Sequence, residues 1–166
     1  NNAESIFEVQ YATSSASGDA AAAGPGLAHP YTDPWGCCGF YQASQNLVNA
    51  YKTENGLPLL DTFDDVDVSP DVNPDGTSVH TGTLDPRLDH AVGRPGILYK
   101  NFKIYQTDFV RDLSYAGPFF SKKHVAEPEG FGINGWGNLS ANNYRLMRYD
   151  MILLWLAEAE VELGNL

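Results

Sequence analysis

Asn143-Tyr-Arg-Leu-Met-Arg-Tyr-Asp-Met-Ile-Leu-Leu-Trp-Leu-Ala-Glu-Ala-Glu-Val-Glu-Leu-Gly164 is the most strongly patterned stretch of this 166-residue chain. Tyr149, Ile152, Leu156, Ala159 and Leu163 recur at three-and-four spacing, and Leu146, Leu153 and Ala157 form a second seam. The spacing predicts a helix with two apolar faces, each asking for a helical neighbour. Gly164 suits the left-handed residue that closes such a helix. The charges oppose the helix dipole, with Arg145 and Arg148 near the positive start and Glu158, Glu160 and Glu162 at the negative end, so tertiary partners are expected for them.

Upstream of Asn143 the character changes. Ser5-Ile-Phe-Glu-Val-Gln-Tyr11 alternates like a strand, followed by a Ser/Ala/Gly stretch from Thr13 to Gly26 that reads as a surface loop. His29-Pro-Tyr-Thr-Asp-Pro-Trp-Gly-Cys-Cys-Gly-Phe-Tyr41 sets four aromatics among Pro and Gly. It leads into a predicted short helix with Ser44 as N-cap, a buried stripe of Leu47, Val48 and Tyr51, and an end at Gly56. Asp61 to Asp75 is an acidic, proline-punctuated loop. Asp85-Pro-Arg-Leu88 is expected to open an extended segment continued by Gly96–Lys100, Phe102–Tyr105 and Phe109-Val110, with Phe119 to Val125 as a last strand. Phe131–Asn138 is a glycine-rich aromatic loop. No repeat of 20 to 50 residues recurs, so a helical-repeat scaffold is expected to lie mostly outside this segment.

With 21 Asp and Glu against 10 Lys and Arg, the net charge of −11 disfavours nucleic acid and anionic membrane surfaces as partners. There is no apolar run of about 18 residues and no basic-then-apolar leader in the segment. Adjacent Cys37 and Cys38 read first as two small buried thiols, with a vicinal disulfide forming a flat ligand platform as the alternative. The two cysteines make no zinc site.

Aromatic side chains in loops carry the functional cue: Tyr31, Trp35, Phe40 and Tyr41 in one, Phe131 and Trp136 in the other. Sugar rings stack their C–H faces on aromatic rings while their hydroxyls seek amide, carboxylate and guanidinium groups, and Gln42, Gln45, Asn46 and Asn134 are near in sequence. Trp35 and Trp136 are expected to be the most exposed; the competing reading is that the aromatics pin loops to a core. Asp71, Asn73 and Asp75 with Gly76 copy the first half of a calcium loop, but Gly82 stands where a bidentate Glu belongs, so calcium is a weak candidate and a solvated acidic turn the stronger reading. Asp85, Asp89, Glu127 and Glu129 are the carboxylates a glycoside hydrolase reading would need. For Asp85 the favoured role is capping a turn with Pro86 and pairing with Arg87. The scattered histidines form no nucleophile or metal motif.

Arg148-Tyr149-Asp150, Leu153-Leu154 and Ala157-Glu158-Ala159 resemble the Arg-Tyr-Ala-Glu/Asp…Leu-Leu…Ala-Glu-Ala helix of the SusD/RagB family of outer-membrane glycan-binding lipoproteins. Glu4–Tyr11, Gln45–Tyr51, Asp85–Leu88 and Phe119–Lys123 match in the same order. The resemblance implies a mainly α fold with irregular loops and short strands, part of a SusD-like fold on a TPR-type helical-repeat scaffold. Residues 1–142 would form a loop-rich ligand-binding region with a helix near 45–55, and residues 143–166 a scaffold helix, both pieces of one larger domain. It further implies a non-enzymatic protein without cofactor, anchored on the extracellular face of the outer membrane through an N-terminal lipid absent from this chain. That protein would capture an oligosaccharide or polysaccharide and pass it to a SusC-like TonB-dependent transporter. Glycan contacts are expected at Tyr31, Trp35, Phe40, Tyr41, Gln45 and Trp136. A glycoside hydrolase fragment and a calcium-stabilised structural module are the alternatives.

Overall fold

The computed structural model describes residues 3–11, 25–36, 38–127, 131–132, 139–140 and 142–165. Its elements are short. Strand β1 (Ser5–Val9) is followed by a 3-10 turn at Pro25–Ala28, β2 (Gln42–Ala43), α1 (Gln45–Asn49), β3 (Thr53–Glu54), β4 (Leu57–Pro58), α2 (Arg87–Ala91) and β5 (Val92–Gly93). Then come β6 (Leu98–Tyr99), β7 (Lys103–Ile104), a 3-10 turn at Thr107–Phe109, α3 (Leu113–Ala116), β8 (Phe119–Ser121), β9 (Phe131–Gly132), β10 (Leu139–Ser140), β11 (Tyr144–Arg148) and α4 (Tyr149–Glu162).

The expected mainly α, TPR-type architecture is therefore overturned. Among the described residues three of the four α-helices are four or five residues long, and strands pair into five small sheets. The ten prolines and sixteen glycines explain much of this, since each interrupts a helix by removing a donor or freeing the backbone. No helix among the described residues is long and apolar enough to cross a membrane.

The predicted C-terminal helix starts six residues later than its periodicity suggested. Tyr144–Arg148 instead pairs antiparallel with β1, Val9 opposite Tyr144 and Phe7 opposite Met147. The pairing brings Arg145 within 3.7 Å of Glu8, while Arg148 pairs locally with Asp150 in the first turn of the helix, at 2.8 Å. From Tyr149 the helix runs to Glu162 with no side chain buried, and Gly164 ends it at φ 75°. Gly164 N–H donates to Val161 C=O at 3.0 Å and Asn165 N–H to Glu160 C=O at 2.9 Å, the bond pair of a Schellman cap.

The helix predicted up to Gly56 ends at Asn49, although Ser44 caps it as expected, its Oγ accepting from Leu47 N–H at 3.2 Å. Leu47 is exposed, contrary to the predicted stripe. Beyond it, Asn55 and Gly56 adopt φ 51° and 81° and close the β3–β4 hairpin. An Asn-Gly pair with both φ positive makes the two-residue turn whose twist suits a hairpin. Asp85-Pro-Arg-Leu88 likewise enters a helix, α2, rather than an extended segment. The expected strands near residues 98–105 do pair, Leu98 with Ile104 and Tyr99 with Lys103.

Strand β8 organises the core. It lies between β2 and β5, and successive strand residues face opposite sides, so Phe119 and Phe120 enter different clusters. Phe119 joins Ala43, Val48, Val68, Leu88 and Val92; Phe120 joins Trp35, Tyr99, Tyr105, Phe109, Val110 and Val125. Gly93 permits the second cluster, because a Cβ there would lie 2.5 Å from the Tyr99 ring.

Candidate functional site

The aromatic cluster takes in Trp35 from the loop that carries Tyr31, Phe40 and Tyr41. Gly39 N–H donates to His29 C=O at 3.0 Å and Phe40 N–H to Leu27 C=O at 3.2 Å, which ties the two limbs of the loop together. Tyr31 N–H donates to Phe109 C=O at 2.9 Å and seats the loop on the segment that ends at Arg111. Trp35 is the plug. It is 2% exposed, packs edge-on against Tyr99 and Phe102, and donates from Nε1 to Ala126 C=O at 3.1 Å. Fully buried His29 accepts from Ala126 N–H at 3.1 Å through Nε2.

Trp35 is thus corrected from platform to anchor. An indole buries more apolar area than any other side chain once its N–H finds an acceptor, and Ala126 C=O is that acceptor. Tyr31, Phe40 and Tyr41 remain at the surface, 48%, 45% and 64% exposed. Tyr41 holds a positive φ of 62°. Trp136 and Asn134 lie outside the described residues.

Arg111 completes this surface. Its guanidinium carbon lies 5.6 Å from the centroid of Tyr31 and 5.2 Å from that of Phe40, so two rings flank one cation. Its Nη1 points to Cys38 C=O at 3.5 Å. Gly39 allows the approach, having φ +72° and no side chain to strike Arg111. Beside Tyr31, Thr32 donates to Asp108 at 2.9 Å and Lys103 donates to Thr32 at 3.3 Å. On the other flank Gln42 Nε2 donates to Asp112 C=O and Gly117 C=O, at 2.9 and 3.0 Å. Nothing local in Phe109-Val-Arg-Asp112 marks Arg111, and reading by sequence neighbourhood missed it.

Cys38 is half-buried and disulfide-bonded, which replaces the reading of two buried thiols. Cys37 lies outside the described residues.

Gln45 has a different occupation. Its Nε2 donates to Asn49 Oδ1 at 2.9 Å and to Val68 C=O at 3.1 Å, away from the Tyr31–Phe40 surface in the bonding network. Fully buried Asn49 is the hub: it donates to Asp64 and Asp67, both at 2.8 Å, and accepts from Val68 N–H at 2.9 Å. The bond from Asn49, with a second from Asn46 at 3.0 Å, holds the Asp64 carboxyl below its ordinary pKa.

The half calcium loop closes on itself. Asp75 Oδ1 accepts from the Thr77 N–H and hydroxyl, and Asn73 turns its amide nitrogen toward Thr77 Oγ1 at 3.0 Å. No group of three or more His, Cys, Asp or Glu among the described residues is placed to hold a metal ion. Asp85 accepts from the Arg87 N–H at 2.9 Å and pairs with its guanidinium, the capping and pairing role expected for it. The bonds from Arg87 hold the Asp85 carboxyl down at about 2. That pair edges a cleft of about 270 Å³ lined by Ala50, Tyr51, Lys52, Thr53 and Pro58, with no second carboxylate among the described residues of its wall.

Half-exposed rings around an outward cation, with amide and hydroxyl groups alongside, define a surface suited to holding a flat, polar, ring-shaped ligand. A profile of the SusD family matches residues 3–166, and the chain belongs to that family. Membership points to a glycan-binding surface protein, a class of binding proteins that generally lack catalysis. Comparison with curated proteins gives no match.

Proposed function

We propose that this chain captures oligosaccharides at the cell surface and delivers them to a SusC-like TonB-dependent transporter of the outer membrane, where a lipid anchor on the mature protein would hold it. The observation that carries the reading is the Tyr31–Arg111–Phe40 surface within a chain of the SusD family. Capture needs no chemistry: ring stacking and hydrogen bonds to hydroxyls hold the sugar, and modest affinity per sugar suits a ligand that must be released.

A glycan array read with the chain and with Tyr31→Ala, Phe40→Ala and Tyr41→Ala variants tests the proposal, with a reducing-sugar assay on every hit. Binding that weakens in the variants without sugar release supports capture. Product release would make the protein a hydrolase, and equal binding by all variants would move the site elsewhere. Delivery is tested separately, by co-purification of the mature protein with the transporter.

A further inference from the structure

Arg111 differs from the other arginines of the chain. Arg87, Arg94, Arg145 and Arg148 each pair with a carboxylate. Arg111 is exposed and has no carboxylate partner among the described residues, in a chain whose acidic residues outnumber its basic ones 21 to 10. Its neighbour Asp112 is spent on capping α3, accepting from the Ser114 N–H at 2.8 Å and hydroxyl at 2.7 Å. A guanidinium carries five N–H donors, and among the described residues the long contact to Cys38 C=O is the one hydrogen bond that uses any of them. The rings of Tyr31 and Phe40 lie within cation–π range of the group, and its planar fork of N–H donors suits a planar, two-oxygen acceptor.

Resting on the glycan-capture reading, we propose that the Tyr31–Arg111–Phe40 clamp selects an oligosaccharide bearing a carboxylate, with one hexuronic acid residue seated on Arg111. The carboxylate of such a sugar is attached directly to its ring, so a ring edge resting on Tyr31 or Phe40 brings two oxygens to the guanidinium. The net charge of −11 repels a dense polyanion and selects instead for isolated uronates on a largely neutral glycan.

The test is calorimetric titration of the unaltered chain with xylo-oligosaccharide bearing one glucuronate and with galacturonate oligosaccharide, each beside its carboxyl-reduced counterpart. The expected result is that an acid form binds at least ~10-fold tighter than its reduced form, the scale of a charge-assisted hydrogen-bond pair. Arg111→Gln should abolish that preference, and Arg111→Lys, which keeps the charge but not the planar fork, should restore little of it. Equal binding of acid and reduced sugars would overturn the proposal while leaving glycan capture standing. A preference that survives Arg111→Gln would overturn it too, since the carboxylate would be read elsewhere. Failure of every glycan, neutral or acidic, would overturn capture itself. The acid-to-reduced comparison uses the unaltered chain and so does not depend on how the variants fold.

Discussion

Gly39 and Arg111 are packed so closely that a Cβ on Gly39 would lie 2.8 Å from the Arg111 Cβ and 3.0 Å from the Tyr31 Cβ. A side chain at position 39 must therefore push the cation away from its rings. Gly39→Ala should lower stability by about 1–3 kcal/mol through backbone strain and collision, and should weaken glycan binding. Gly36 has a similar φ of +67° but nothing within 4 Å of its would-be Cβ. Gly36→Ala should cost about 1–2 kcal/mol, the left-handed penalty alone, and leave binding intact. Melting curves and titrations on both variants separate strain from collision.

Trp35 and Tyr31 sit four residues apart and divide the work of one loop. Trp35→Ala empties a buried ring site and frees Ala126 C=O, so unfolding free energy should fall by about 3–5 kcal/mol. Tyr31→Ala removes a half-exposed ring and should change stability by less than about 1 kcal/mol while weakening glycan binding. Denaturant unfolding of the two variants checks this; equal losses of stability would contradict the division.

Asn49 fastens the acidic loop to α1 by bonds to Asp64, Asp67 and Val68. Asn49→Ala strands a buried Val68 N–H, at a cost of about 1–3 kcal/mol. Limited proteolysis should then cut between Asp61 and Val68 faster than in the unaltered chain. Unchanged cleavage there would show that the loop is held by other means.

Alkaline pH probes the aromatic core. Burial pushes the Tyr99 and Tyr105 hydroxyls far above their ordinary pKa, and each donates at 2.7 Å, to Ser121 and Pro118 C=O respectively. Their folded pKa is raised, so their contribution is complete below about pH 10, where unfolded tyrosine titrates, and is lost progressively as pH rises above it. Burial moves Lys122 the other way, lowering its pKa, which makes stability rise with pH until unfolded lysine loses its proton near about pH 10.4. Melting temperature should therefore fall above about pH 10, and the fall should be shallower in Tyr99→Phe.

Legibility followed the range of the deciding interaction. Ser44 as a cap, Gly164 as a terminator and Asp85 as the partner of Arg87 were readable because each acts on groups two to five residues away. The Asn55-Gly56 hairpin was equally local and was still missed, because the apolar spacing of Leu47, Val48 and Tyr51 outweighed the turn signal. Tyr144–Arg148 defeated periodicity for another reason. Its partner strand lies more than 130 residues upstream, and the backbone bonds offered there override helix spacing.

By itself the sequence determined what depends on composition and near neighbours: the acidic balance, the caps and turns, the family, and a loop rich in aromatic rings. Only the tertiary structure decided which of those rings face inward. Trp35 was taken into the core by Tyr99, Phe102 and Ala126, all more than 60 positions away, and Tyr31 and Phe40 were left at the surface around Arg111, 80 and 71 positions away. An aromatic side chain carries the same apolar area in either place, so its fate rests on whether the folded chain brings it a cavity and an acceptor, and no local pattern encodes that.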